Sequence, residues 1–201
     1  IAAALRAQGR RVGVFKPALT GLEEGGVPDH ERLRRAAASE QSDDEIAPYR
    51  YNIAASPHLA AGLAGERIEP AVVRERAEAV AADADVVVCE GVGGLLVPLA
   101  EDYSVRDLAR ELALPLVLVA SPGLGTINHT LLTLEAARSA GLAVAAVVLT
   151  PWPASPDEIE ASNLETLGLL ASAPVEVLGA LELDVPGDWP SLPGSLERAL
   201  L

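Results

Sequence analysis

Three short runs in this chain, residues 85–89 (DVVVC), 115–120 (PLVLVA) and 142–149 (LAVAAVVL), are apolar at nearly every position. A strand with one wet face must alternate apolar and polar residues. A strand that is apolar throughout must be covered on both faces, which is how strands of a parallel sheet lie beneath crossover helices. Helical patterns fill the gaps between runs: 69–83 with Pro70 in its first turn, 104–112 capped by Ser104, 126–140 ending at Gly141, and 155–170 with Ser155 as N-cap. Upstream, residues 1–8 read as a helix stopped by Gly9, 11–15 as a strand, 20–28 as a loop and 30–40 as a basic-faced helix; 45–56 reads as irregular. A short helix follows, and 175–178 reads as a last strand. The expectation is an α/β fold with a mostly parallel sheet and helices on both faces, as a single domain over residues 1–201.

Composition narrows the function. The net charge is −14, which excludes sequence-independent nucleic-acid binding, because that needs Lys and Arg to neutralise phosphates. An anionic substrate stays open, since a local site can oppose the global field. The one cysteine, Cys89, sits in an apolar strand and reads as a small buried hydrophobe; without a partner in the chain it fits a reducing, cytoplasmic setting. No apolar run reaches the roughly 18 residues of a membrane span, and no signal peptide is visible. The chain holds no methionine and opens in the middle of a helical pattern, so a segment upstream of Ile1 is expected.

In open parallel sheets, ligands sit beyond the carboxyl ends of the strands. After the first strand comes "FKPALTG", which puts Lys16 where an ammonium can face an anion, with Thr20 and glycines close behind. After 85–89 comes Glu90, then Gly91-Val92-Gly93-Gly94. An acid at the end of an apolar strand resembles the Walker B arrangement that holds Mg²⁺, and glycines let backbone amides approach phosphate oxygens. Asp29 precedes a helix; its plainer reading is an N-cap, its functional one a second carboxylate for Mg²⁺. After 115–120 comes "SPGLGTINHT", a glycine turn entering a helix, which is a ready anion site. His129 in its first turn reads as a helix-start hydrogen bond. Three histidines without a cysteine pair offer no zinc site, and none sits in a nucleophile elbow. Glu23-Glu24 and Asp43-Asp44-Glu45 read as solvated loop charge.

These pieces, in this order, resemble the dethiobiotin synthetase family. "KPALTG" is similar to its KP-x-x-[ST]-G, and "VVVCEGVGGLLVPL" to its E-G-x-G-G segment. "YRYNIAASPHLAA" and "GLGTINHTLLTLEAARSAGL" are similar to its Ser-Pro-His and L-G-x-[IL]-N-H stretches, so the resemblance covers essentially the whole chain. It implies a P-loop NTPase-like fold, in which a strand and a phosphate-binding loop precede the helix this chain enters at Ile1. It implies a ligase of biotin biosynthesis that uses ATP, or another nucleoside triphosphate, with Mg²⁺. The substrates would be 7,8-diaminononanoate and CO₂ or bicarbonate, and the reaction would pass through a phosphorylated carbamate. By the same resemblance Lys16 would be catalytic, and Thr20 would contact substrate. Asp29 and Glu90 would hold Mg²⁺ and, with Gly91, Val92 and Gly93, line the nucleotide phosphates. Gly125, Thr126, Ile127 and Asn128 would take the substrate carboxylate, in this family across the interface of a homodimer. No nucleic acid and no membrane would be involved.

Two positions depart from the family pattern. Where many members read adenine with Asn-Asp, this chain has Thr150-Pro151, and a later proline is replaced near Glu182. Base recognition would then fall to backbone at Thr150, Pro151 and Glu182, or the base preference would differ. Three other readings compete. A cobyrinic-acid amidating synthetase needs a glutaminase domain with a Cys nucleophile, which this chain lacks. A switch ATPase of the ParA/MinD type sits poorly with "LGTINHT" and the acidic composition. The third is a catalytically inactive relative without a P-loop.

Overall fold

The computed structural model describes residues 1–181. Within them the chain forms two compact units, residues 1–112 and residues 113–181. Both are α/β with parallel strands, as the uninterrupted apolar runs require. Glu182, one of the expected base contacts, lies outside the described residues.

In the first unit, helix α1 (Ala2–Ala7) leads through Gly9 into strand β1 (Val12–Phe15). Helices α2 (Asp29–Ala37), α3 (Asp43–Ile46), α4 (Pro57–Leu63) and α5 (Pro70–Ala82) follow, then strand β2 (Val86–Cys89). β1 and β2 pair in parallel from Val12↔Val86 to Phe15↔Cys89. One face of this pair, with Phe15, Val87 and Cys89, packs on Val73, Ala77 and Val80 of α5 and on Ala60 and Ala61 of α4. Val12 and Val14 are also buried and alternate to the other face, and α1 and α2 lie against β1. Gly13 permits the α5 contact: a Cβ there would sit 2.7 Å from Val80 Cγ1. The unit ends with a small antiparallel pair, β3 (Pro98–Ala100) and β4 (Tyr103–Ser104), and helix α6 (Val105–Leu112).

The second unit runs β5 (Leu116–Ala120), α7 (Thr126–Ser139), β6 (Val144–Trp152), α8 (Glu158–Leu170) and β7 (Val175–Gly179). Its three strands are parallel in the order β5-β6-β7. Leu134 of α7 and Leu167 of α8 close over Val147 and Leu149, with Leu118 and Val175 beside them. Each crossover helix thus buries one apolar row, the arrangement that makes β-α-β units stable.

Several local expectations need correction. Asp29 is the first residue of α2 and Pro28 holds the cap position, so Asp29 is not an N-cap and its carboxylate is free to point elsewhere. The stretch Asp43-Asp44-Glu45 is not loose loop charge. It forms the first turn of α3, closed by a reciprocal cap between Ser42 and Glu45, and the helix runs into the first two residues, Glu45 and Ile46, of the segment expected to be irregular. α8 is capped by Asp157, not Ser155: Asp157 accepts from the amides of Ile159 and Glu160, both at 2.9 Å. The β3–β4 pair carried no alternation long enough to reveal it.

Candidate active site

Parallel pairing in register makes the residues just after β1 and β2 neighbours at the carboxyl end of the sheet. The Glu90 amide continues the ladder by donating to the Phe15 carbonyl at 2.8 Å. Lys16 and Glu90 therefore emerge side by side. Lys16 Nζ donates to Glu90 Oε1 at 2.7 Å and to the Gly91 carbonyl at 3.2 Å. It also lies 3.1 Å from Asp29 Oδ2. An ammonium has three donors and no acceptor, and here three oxygens from three segments meet it. Lys16 is only 4 % exposed, while the two carboxylates are 42 % and 47 % exposed. The cation is buried under a rim of acids that solvent reaches.

Lys16 is the sole lysine among the 15 basic residues of the chain, the rest being arginines. That count is the signal that sets the residue apart, and it has a physical reason. A guanidinium is a planar fork suited to one bidentate partner, whereas an ammonium is a compact point charge that can serve three separate ones.

Asp29 reaches the cluster because α2 begins there, and Arg32 one turn on lies 3.9 Å from its other oxygen. The glycine turn after Glu90 stays low. Val92 packs its side chain against the core, so it has only backbone to offer a ligand, and Gly93 adopts φ +65. Burial pushes the Cys89 thiol up to about 12, partly opposed by Lys16 and reinforced by Glu90. Cys89 is therefore an inert packing residue, as its sequence context implied.

The donor set suits a hard cation. All the oxygens around Lys16 Nζ come from carboxylate or carbonyl, and one positive centre already sits among them. Mg²⁺ characteristically takes one or two carboxylates and completes its shell with phosphate and water. The described residues contain no cluster of three or more His, Cys, Asp or Glu that could hold a metal ion by itself. Asp29 and Glu90 are thus a fitting pair for a cation that arrives with a phosphate.

Thr20 lies beyond Lys16 in a segment running beside residues 49–53, where Leu19 pairs with Arg50. It is half-buried, with no contact to the Lys16 cluster among those described.

The remaining expected residues belong to the second unit. Gly125, at φ +95, is the N-cap of α7 and makes no side-chain cap bond. Thr126 is buried, Ile127 partly so, and Asn128 is exposed. The Thr126 amide donates to the Gly123 carbonyl at 3.2 Å, and the Ile127 and Asn128 amides, without an intrahelical acceptor, make the turn an anion-binding end. Asn163 fixes the loop before it, and sequence reading missed that residue. From α8 its side-chain amide donates to the carbonyls of Pro122 at 2.9 Å and Gly123 at 3.1 Å, and the residue is 6 % exposed. The signal was a polar residue one helical turn before buried Leu167, on the apolar face of a helix. Thr150 and Pro151 lie within β6, which extends to Trp152, past the expected end at residue 149.

A family model described as an AAA domain matches residues 1–190. The chain is 35 % identical over 177 residues to the ATP-dependent dethiobiotin synthetase BioD of Bacillus subtilis (strain 168), covering 87 % of this chain and 76 % of that protein. It is 40 % identical over 179 residues to the protein of that name from Aromatoleum aromaticum, covering 86 % and 78 %. To that of Anaeromyxobacter dehalogenans (strain 2CP-1 / ATCC BAA-258) it is 46 % identical over 146 residues, covering 73 % and 66 %. Among the described residues no helix is long and apolar enough to cross a membrane.

Proposed function

The chain belongs to the dethiobiotin synthetase family, whose members are ATP-dependent ligases, and on that premise we propose that it closes 7,8-diaminononanoate and CO₂ into the cyclic urea of dethiobiotin. One amine takes up CO₂ as a carbamate and releases a proton. The carbamate oxygen accepts the γ-phosphoryl group of ATP, leaving ADP. The second amine attacks the carbonyl carbon, the C–O bond to phosphate breaks, and phosphate leaves with the ring closed.

The observation that carries this reading is the buried Lys16 ammonium, held by Asp29, Glu90 and the Gly91 carbonyl at the ends of β1 and β2. Phosphoryl transfer to an anion asks little covalent chemistry of a protein. It asks for positioning and for neutralisation of charge as the phosphoryl moves. Lys16 supplies donors to the carbamate and phosphoryl oxygens from a place where water competes poorly. Asp29 and Glu90 would hold Mg²⁺, which would supply positive charge to neutralise phosphate. The backbone of Gly91, Val92 and Gly93 is assigned to the phosphates and the substrate amines. Thr20 contacts substrate. The substrate carboxylate is assigned to the amides of Gly125, Thr126, Ile127 and Asn128, in a homodimer. Thr150 and Pro151 are assigned to the base, and the choice of nucleoside triphosphate follows from them.

The test is phosphate release by the full-length protein with Mg²⁺, ATP, bicarbonate and the diamine, with mass detection of the cyclic urea. Release that requires the diamine and yields the urea is expected. Release without the diamine would place the protein among switch ATPases. Activity only with another triphosphate would overturn the assignment of ATP.

A further inference from the structure

β1 has two edges. Its odd residues face β2, as the bond from Glu90 to the Phe15 carbonyl shows. Its even residues face the other way, and no strand pairs there among the described residues. A buried, unpaired peptide costs about as much as a lost hydrogen bond, so something must close this edge. At Val14, fully buried, a side chain does it. The Val14 amide donates to Gln41 Oε1 at 2.9 Å, and Gln41 Nε2 donates to the Val14 carbonyl at 3.0 Å. A glutamine side chain carries the same donor and acceptor as a peptide, and here it imitates one residue of a neighbouring strand. The next even position is Lys16, whose amide donates to the Ile46 carbonyl at 2.7 Å.

Gln41 is itself fixed to α2. Ala38 turns left-handed at φ +43 and ends the helix, and Ser39 Oγ donates to Gln41 Oε1 at 2.9 Å. Arg34 of α2 donates from Nε to the Gln41 carbonyl at 3.0 Å and pairs with Asp43. One short connection thus grips β1, which carries Lys16, and α2, which begins with Asp29.

We propose that Gln41 is a positioning residue for the reaction: its side-chain amide locks β1 to the end of α2 and so sets where Lys16 meets Asp29. The proposal rests on the reaction assigned above, in which Lys16 acts on the carbamate and phosphoryl groups. It does not require Gln41 to touch any ligand.

The experiment compares wild type, Gln41→Ala and Gln41→Glu in the full-length protein. Gln41→Glu keeps the acceptor for the Val14 amide, loses the donor to the Val14 carbonyl and sets a charged oxygen against it. Two readouts are taken: steady-state ring closure, and the rate at which an amine-reactive reagent labels Lys16, followed on its peptide by mass spectrometry. Misplacing a catalytic group by about 1 Å can cost about a hundredfold, and a smaller shift, costing about tenfold, is expected here. Gln41→Ala should lose about that in kcat and in kcat/KM together, with KM for the diamine unchanged, the pattern of an interaction made only in the transition state. Gln41→Glu should fall between Gln41→Ala and wild type. Lys16 should label several-fold faster in both variants than in wild type. A kcat within twofold of wild type in Gln41→Ala, or a loss confined to KM, overturns the proposal. If Gln41→Ala does not fold, the same criteria applied to Gln41→Glu decide. If wild type itself makes no cyclic urea, the assigned reaction fails, and the Lys16 labelling rate alone still shows whether Gln41 positions it.

Discussion

Where β1 and β2 stop, the first unit sets charged side chains, Lys16 and Glu90, with Asp29 brought in by a helix. Where β5 stops, the second unit sets Ser121-Pro122-Gly123-Leu124-Gly125, with no charge, and opens α7 without a side-chain cap. Both follow the rule that ligands meet the carboxyl ends of parallel strands, but they offer different chemistry. A buried ammonium among carboxylates can follow charge as it develops during a reaction. A row of helix amides has fixed dipoles, which suit a charge that stays in one place. Under the proposed function the contrast would divide the work: the first unit would move a phosphoryl group and the second would anchor a carboxylate.

The sharpest way to break that division is Lys16→Ala. Removing one donor aimed at developing charge typically costs about 10² to 10³ in kcat. A loss of that size is expected here, read as cyclic urea formed, with the circular dichroism spectrum retained because both carboxylates are left accessible to water. Glu90→Gln should fall to a similar level, since it keeps the shape and removes the charge. Near wild-type turnover in either would move the chemistry out of the first unit.

Asn163→Ala tests the other half. It removes both donors to Pro122 and Gly123 from a buried position, which should destabilise the protein by about 1–3 kcal/mol in a denaturant titration. If the loop only anchors the substrate carboxylate, KM for 7,8-diaminononanoate should rise several-fold while kcat changes little. A diamine lacking the carboxylate should then be handled alike by variant and wild type. A kcat effect on that analogue would show that the second unit also takes part in the chemistry.

The same contrast explains what the sequence disclosed. Lys16 and Glu90 were legible because charged residues at the ends of apolar runs have few structural reasons to be there; Asp29 read more plainly as a helix cap and stood out only through the family resemblance, and the structure brings all three together. The strands were legible because they are apolar runs between helical patterns, although their burial is uneven: β1 is buried throughout, whereas Val119 of β5 is 68 % exposed. Gln41 and Asn163 were not. Each acts by satisfying backbone groups distant in sequence, Val14 in one case and Pro122 in the other, and a single chain read in order gives no sign of such pairings. The short α3 was hidden for a related reason: its acids read as solvent-facing charge until Arg34 and Arg50 are seen to pair with Asp43 and Asp44. The caps of α2 and α8 shifted by one or two residues because several neighbours could fill each.

Two adjacent glycines in the first unit separate fold from ligand. A Cβ on Gly93 would stand 3.0 Å from Val97 Cγ2, on a backbone already at φ +65, so Gly93→Ala should cost about 1–2 kcal/mol. A Cβ on Gly94 would meet nothing within 4 Å, and its φ is not left-handed. Gly94→Ala should leave the melting temperature unchanged. A fall in turnover with that variant would then show ligand, not protein, occupying the space, and would extend the backbone part of the first unit's site by one residue.

The smallest effect concerns two helix ends, those of α6 in the first unit and α7 in the second. In the first unit Ser104 and Asp107 close the start of α6: Ser104 Oγ donates to Asp107 Oδ2 at 2.5 Å, and the Ser104 amide donates to the same oxygen at 2.9 Å. These bonds hold the Asp107 carboxyl below its ordinary value of 3.8. A carboxylate favoured in the folded state contributes stability above the unfolded pKa and loses it as pH falls through the folded one. Ser104→Ala should therefore cost about 1 kcal/mol at neutral pH, and the gap to wild type should narrow as the pH is taken below about 4. In α7, where Gly125 makes no such bond, no side chain can be removed to the same effect. Its amides would be stabilised by an anion, so the substrate carboxylate should raise the melting temperature of the second unit while leaving the Ser104 difference untouched. If the substrate changed the Ser104 difference instead, a capped helix end would be answering to ligand, and the contrast between a side-chain end and a backbone end would not hold.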